Sequence, residues 1–217
     1  VSGKSLREHQ EIHGHAQAIG LMAAWARARQ PVRIEHLHQL HRAVQTGTNV
    51  DALSPIGAWK VEPNGTMAIT SKGDSEWHEY AIPKDVAMLM EAWLKSLAQF
   101  SRRKKTGYDD LIEAYTDAHL GFVAIHPYAD GNGRMARLLA NVPILRGGFP
   151  PLLVSVEARL TYITLMGDFS LRRGQPKLGE GLVPQSSKRD ALRDFFSEQW
   201  KSTLQQVEKF HRLQSER

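Results

Sequence analysis

Twelve consecutive residues combine types that ordinary packing has no need to bring together: His126-Pro127-Tyr128-Ala129-Asp130-Gly131-Asn132-Gly133-Arg134-Met135-Ala136-Arg137. Pro127 disfavours the right-handed helical region at His126, so a helix arriving from the N-terminal side must end there. The imidazole then stands at a helix end, where a neutral ring can take a proton from an incoming hydroxyl. Gly131-Asn132-Gly133 lets successive backbone N–H groups turn inward as an anion-binding nest. A new helix starting behind the triplet adds unpaired N–H donors and the positive end of its dipole. Arg134 and Arg137 share one helical face, and each can hold two oxygens of an oxyanion. A phosphate chain is the natural occupant. Asp130, beside the nest, can hold a Mg²⁺ that bridges phosphate oxygens.

This segment resembles the signature of the Fic family, His-Pro-Phe-x-Asp-Gly-Asn-Gly-Arg-x-x-Arg. Every fixed position matches except that Tyr128 stands in place of the Phe. Leu138-Leu139-Ala140-Asn141 and Gly147-Gly148-Phe149-Pro150-Pro151 look like the family's following helix and its exit. Gly57-Ala58-Trp59-Lys60 and Ile82-Pro83 look like the borders of its flap. The resemblance implies a mainly α fold, a Fic-type helical domain with a small β-hairpin flap. It implies a catalytic domain over residues 1–170, with the flap at about 57–83 and the active-site motif at 126–137. Residues 171–217 would be a loop and a C-terminal helix packed on the same domain.

The activity the resemblance implies is that of a protein adenylyltransferase: AMP passes from ATP to a Ser, Thr or Tyr hydroxyl of a target protein, and pyrophosphate leaves. His126 would be the general base and Asp130 the Mg²⁺ ligand. Gly131, Asn132 and Gly133 would form the anion hole around the α- and β-phosphates. Arg134 would contact the β-phosphate and Arg137 the γ-phosphate. The flap would hold the target segment by main-chain pairing. Two features depart from the pattern. The stretch after Tyr162, Ile-Thr-Leu-Met-Gly-Asp-Phe, differs from the family's adenine-side segment, and the inhibitory motif Ser/Thr-x-x-x-Glu-Gly/Asn occurs nowhere in the sequence. Because the sequence opens on Val1, it is expected to be a segment of a longer chain, with an inhibitory helix in the missing N-terminal region and the segment itself constitutively active. Two other readings stay open: a degenerate Fic-like interaction module, and transfer of another phosphate-containing group, as in the family's kinase and phosphocholine branches. The intact motif speaks against the first. Gly133, which leaves room for an extended triphosphate, favours AMP within the second.

The elements that must position these residues are largely helical. Ser5 and Glu8 form a capping box that opens a helix to about Arg29, with Ile12, Ala16, Ile19 and Ala23 as its apolar face and Pro31 as its stop. A second helix runs from Arg33 to about Val44, with Ile34, Leu37 and Leu40 on one face. Residues 46–83 carry Gly and Pro breaks and short strand-like runs at Ala58–Val61, Thr66–Ile69 and Trp77–Tyr80, with a hairpin tip at Ser71–Glu76. After Pro83, Val86, Leu89, Met90, Trp93, Leu94 and Leu97 mark a helical face. Asp109 to His126 reads as a helix with Leu111, Ile112, Tyr115, His119, Phe122 and Val123 inward. A helix restarts at Gly133 and runs to Leu145, where Pro143 costs about 3 kcal/mol unless the helix is kinked or broken. Val156–Phe169 and Lys188–Gln214 complete the helices, with a loop at 174–187 between them.

Composition bounds the rest. The chain has 217 residues, 41% hydrophobic and 24% charged, as a folded domain requires. With no cysteine, disulfides, thiolate nucleophiles and Cys-based zinc sites are excluded. No apolar stretch approaches the roughly 20 residues of a membrane span, and a cytoplasmic location is expected. The net charge of +5 is dispersed. Its densest run, Arg102-Arg103-Lys104-Lys105, lacks interleaved aromatics and reads as a solvated inter-helix loop, so nucleic acid is not an expected partner. His9 and His13 flank Gln-Glu-Ile rather than completing His-Glu-x-x-His, and catalytic zinc is not expected there or at His36, His38 and His41. Gly3-Lys4-Ser5 echoes the end of a phosphate-binding loop but lacks its first Gly and its strand. Trp59, Trp77, Trp93 and Tyr80 read as core or hairpin packing. In a purely structural reading, Arg134 and Arg137 would pair with Asp109, Asp110 or Glu113.

Overall fold

A computed structural model describes residues 5–47, 54–101 and 107–215. It is a helical assembly with one antiparallel hairpin. The elements in order are α1 (Leu6–Ala28), α2 (Ile34–Val44), β1 (Gly65–Ile69), β2 (Ser75–Glu79), α3 (Pro83–Ser101), α4 (Tyr108–Ile125), α5 (Asn132–Leu139), α6 (Asn141–Arg146), α7 (Arg159–Arg173) and α8 (Ser187–Ser215). The basic run at 102–105 lies outside the described residues. The mainly α fold with a hairpin flap is borne out.

α4 is the central element. Nearly all of it is buried, Leu111, Ile112, Tyr115 and Phe122 among the rest. It packs against α3, α5, α6 and α8, so its C-terminal end, and with it His126, is fixed from several sides. α8 is tied to α4 by Arg189, only 2% exposed, which bonds Glu113 at 2.5 Å and Asp117 at 2.7 Å. Arg193 adds ion pairs to Glu113 and Asp109. Asp109 and Glu113, two of the acids that could have held Arg134 and Arg137, are thus engaged from α8.

Several expectations need correction. In α1 the capping box forms, with Ser5 N donating to Glu8 Oε2 at 2.7 Å, but the inward stripe is Gly14, Ala18, Met22 and Ala26. Ile12 and Ile19 are 51% and 47% exposed. Gly14, Ala18 and Ala26, three small residues of that stripe, let α1 lie close against α2 and α6, and backbone proximity outweighed side-chain size. Ala58–Val61 is not a strand: its backbone serves the motif loop instead, with Lys60 N donating to Pro127 O at 2.9 Å. The helix foreseen over 133–145 is two helices that break at Ala140, between Leu139 and Asn141. Pro143 has no N–H to offer the Leu139 carbonyl, so the chain restarts one turn earlier and Pro143 sits in the first turn of α6, where none is needed. The next helix, α7, also begins at Arg159 rather than Val156 and runs four residues past Phe169.

The hairpin pairs Thr66 with His78, Met67 with Trp77 and Ala68 with Glu76. Its turn spans 70–74, shorter than foreseen, since Ser75 and Glu76 belong to β2. Ala68 and His78 face inward, while Met67 and Trp77 stand on the outer face, Trp77 56% exposed. Among the described residues, no helix is long and apolar enough to cross a membrane.

Candidate active site

α4 ends as Pro127 demands. His126 is its C-cap in the left-handed region, φ 52° and ψ 60°, with its N–H on the Phe122 carbonyl at 2.9 Å. That conformation costs about 1–2 kcal/mol for a residue with a Cβ, and the surroundings hold it. The imidazole stacks on Tyr80 with centroids 3.7 Å apart and planes 7° from parallel. Nδ1 lies 3.4 Å from the Val123 carbonyl, an acceptor, which places the ring proton on Nδ1 and leaves the Nε2 lone pair free. Burial, then the Lys60 charge and His78, push the ring's pKa down to about 3 against the pull of the Val123 carbonyl and Asp130. The ring is therefore neutral at physiological pH, as a general base must be.

The loop that follows is braced from α2. Tyr128 is fully buried and stacks on His41 at 3.8 Å and 6°. Its hydroxyl meets His38 Nδ1 at 3.2 Å, a contact a Phe could not make. His41 Nδ1 accepts from Gly57 N–H at 2.9 Å, so its proton sits on Nε2, which donates to the Asp130 carbonyl at 3.0 Å. Burial lowers the His41 pKa to about 4 and keeps the ring neutral, while its two partners select that tautomer. Gly131 turns the chain into α5 at φ 79°, where a side chain would be strained and would meet Gln45 at 3.3 Å.

At the start of α5 the structure brings Gly131, Asn132, Gly133, Arg134 and Arg137 together, with a change of part for Asn132. Its side chain points inward, accepting from Tyr128 N–H at 2.9 Å and donating to the Tyr128 carbonyl at 2.7 Å. Only its backbone N–H, with those of Gly133 and Arg134, faces outward in the first turn of α5, where no carbonyl inside the helix precedes them. The Arg134 guanidinium donates to Val44 O and Gln45 Oε1, both at 2.9 Å, and to Asp130 Oδ2 at 3.2 Å. Arg137 is half-buried over the Tyr162 ring, 5.9 Å from its centroid. Tyr162 OH meets His119 Nε2 at 3.1 Å, within α4. The Asn141 amide donates to the Arg137 and Leu152 carbonyls at 3.0 Å and accepts from Leu152 N–H at 2.7 Å, which fixes the end of the helix carrying both arginines.

Asp130 presents an exposed carboxylate. Burial nudges its pKa up, but the Gly131 N–H, Gln45 and Arg134 outweigh it and hold the group below the usual carboxylate range. One ionised carboxylate beside a helix N-terminus able to receive phosphate matches how Mg²⁺ is commonly held, with substrate oxygens and water completing the shell. The donor set therefore fits the ion.

Between the hairpin and α7 lies a cavity of about 200 Å³ lined by His126, Gly133, Arg137, Tyr80, Tyr162 and β1. The hairpin is latched over it. Asp168 accepts from Ser71 N–H at 3.1 Å and Ser71 Oγ at 2.6 Å, and pairs with Lys188 at 2.7 Å. At Gly167 a Cβ would fall 2.1 Å from the Ile69 carbonyl oxygen, so only glycine admits β1 so close. The stretch after Tyr162 that departs from the Fic pattern is thus the stretch that receives the flap.

Sequence reasoning missed His41, Gln45, Lys60, Asn64 and Asn141. A polar side chain inside a segment with an apolar stripe, such as His41 beside Leu37 and Leu40, was the available signal. Tyr80 was foreseen as packing, and it packs on His126 itself.

Protein adenylyltransferase fic-1 of Caenorhabditis briggsae is 32% identical over 164 residues, 75% of this chain and 29% of that protein. Protein adenylyltransferase Fic of Drosophila ananassae is 32% identical over 165 residues, again 75% of this chain and 29% of the relative. The chain thus spans less than a third of the length of these curated relatives. A solved Fic domain containing signaling protein from Bacteroides thetaiotaomicron superposes with a TM-score of 0.78 at 21% identity, over 94% of this chain and 73% of that one, a likeness of fold. The model of the Fic/DOC family matches residues 31–144. That span runs from the approach to α2, which braces the loop, through the whole motif to α6, and the chain belongs to the Fic/DOC family.

Proposed function

We propose that this chain transfers AMP from ATP to a Ser, Thr or Tyr hydroxyl of a target protein. The observation that carries the reading is the shared cavity: His126, neutral and with a free Nε2, lines the same space as Arg137 and the N-terminal turn of α5. The α- and β-phosphates would sit on the Gly131-Asn132-Gly133 loop, at the outward backbone N–H groups of Asn132, Gly133 and Arg134, with the Arg134 side chain at the β-phosphate and Arg137 at the γ-phosphate. Asp130 would hold Mg²⁺, which neutralises phosphate charge when bound. The target hydroxyl oxygen attacks the α-phosphorus and its proton passes to His126 Nε2. As the new P–O bond forms, the bond to the β-phosphate oxygen breaks and pyrophosphate departs. Target main chain would pair with the hairpin, whose inner face carries Ala68 and His78 toward the site. We assign the catalytic domain to residues 1–170, with 171–217 packed on the same domain through α8.

The test is incubation with Mg²⁺ and either α-labelled or γ-labelled ATP, with candidate target protein. Label in protein from the α-position alone is the expected result. Label from the γ-position would make the chain a kinase. ATP binding with no label from either position would leave an interaction module.

A further inference from the structure

Lys60 lies in an irregular segment and is only 3% exposed. Its ammonium donates to Asn64 Oδ1 at 2.5 Å and to the Ile125 carbonyl at 3.4 Å. Its backbone N–H donates to the Pro127 carbonyl at 2.9 Å. The two carbonyls it holds flank His126 on either side. Asn64 extends the grip: its amide donates to the Tyr128 carbonyl at 2.9 Å, and its own carbonyl accepts from Tyr80 N–H at 3.1 Å. Tyr80 is the residue stacked on the His126 ring.

A buried ammonium is an expensive way to fill space, since an apolar side chain of similar length would need no desolvation. Among the described residues no carboxylate lies within ion-pair distance of Lys60. Its compensation is the C-terminal end of α4, whose carbonyls carry the negative end of the helix dipole. That end is where His126 takes up its left-handed conformation.

We propose that Lys60 is a positioning residue for His126: it clasps the carbonyls before and after the histidine, and through Asn64 and Tyr80 it sets the plane of the imidazole. The inference rests on the reading of His126 as the general base.

The charge adds to the geometry. The groups facing the imidazole are Lys60 and Tyr80, His78 of β2, Asp130 of the motif loop, and Arg137 and Tyr162 across the cavity. Burial, the Lys60 charge and, when it is itself protonated, His78 oppose the imidazolium, while the Val123 carbonyl and Asp130 favour it. Burial also lowers the Lys60 pKa to about 8, so the ammonium persists at neutral pH and weakens above it.

The experiment compares Lys60→Met, Lys60→Gln and Lys60→Arg with His126→Ala. It reads transfer of α-labelled AMP, ATP affinity by calorimetry, and the pH titration of the His126 ring by NMR without metal. Lys60→Met is expected to keep ATP affinity within about 3-fold and to lower kcat about 10–100-fold, the loss that accompanies a misplaced base. The His126 titration should move up toward the ordinary histidine value. Lys60→Arg should recover most of the rate. Lys60→Gln, which keeps a donor without the charge, is the fallback if Lys60→Met does not fold. A folded Lys60→Met or Lys60→Gln protein with unchanged kcat and an unmoved His126 titration overturns the inference. Wild-type transfer by His126→Ala overturns the base assignment instead.

Discussion

Replacing Gly167 by Ala tests whether the latched hairpin is part of the catalytic geometry. The added Cβ would lie 2.1 Å from Ile69 O, 2.9 Å from its carbonyl carbon and 3.1 Å from its nitrogen. Ordinary contact needs about 3.5 Å, so β1 must recede by about 1.4 Å. The obstacle is backbone, which has no rotamer to escape into. α7 is packed against α8, whereas a two-stranded hairpin is marginal by itself, so the hairpin is what moves. Overpacking destabilises by about 1–3 kcal/mol. Alanine in place of glycine within a helix offsets about 0.5–1 kcal/mol of that. The net loss of about 0–2.5 kcal/mol lowers Tm by about 10 °C at most, given about 2–4 °C per kcal/mol for a domain of this size. Transfer should suffer more, since a displacement of about 1 Å in a group that positions substrate can cost about 100-fold. The assay is α-labelled AMP transfer to a target protein beside a thermal melt. Transfer within 2-fold of the unaltered protein would refute the reasoning, as would loss of cooperative unfolding, which would make Gly167 a requirement of the core.

Folding stability should decline as pH falls from about 6.5 toward about 4. Burial holds His119 down to about 3 and His41 to about 4, so below about 6.5 the unfolded chain binds protons the folded one does not. Urea unfolding at pH 7.5 and 4.5 measures this, and His119→Phe should flatten the slope if the fold is kept. Asn141→Leu strands two carbonyls and one N–H, each worth about 1–3 kcal/mol when buried and unpaired, so a loss of about 3 kcal/mol or more is expected in denaturant unfolding.

Much of the site was legible because its chemistry is local. Pro127 after His126 ends a helix whatever surrounds it, and Gly131, at φ 79°, makes a turn whose backbone a side chain would strain. The Ser5–Glu8 capping box and the Pro143 break also depend on near neighbours alone. What the sequence did not carry was distance across the fold. The apolar residues of α1 looked inward at Ile12 and Ile19, yet the helix buries Gly14, Ala18, Met22 and Ala26, because close approach to α2 and α6 favours small side chains over large ones. Ala58–Val61 has a strand-like composition, but its Lys60 N–H meets the motif loop rather than a neighbouring strand. His41, Lys60 and Asn64 are separated from the motif by more than sixty residues of chain; His41 falls on the Leu37–Leu40 stripe, and no periodicity marks Lys60 or Asn64. Only tertiary contact turns them into the partners that fix the tautomer, the charge and the plane of the groups around His126. The sequence determined which atoms could react, since residue types and near spacing are covalent facts. The tertiary structure decided which of those atoms face one cavity, since burial and long-range hydrogen bonds exist only once the helices have packed.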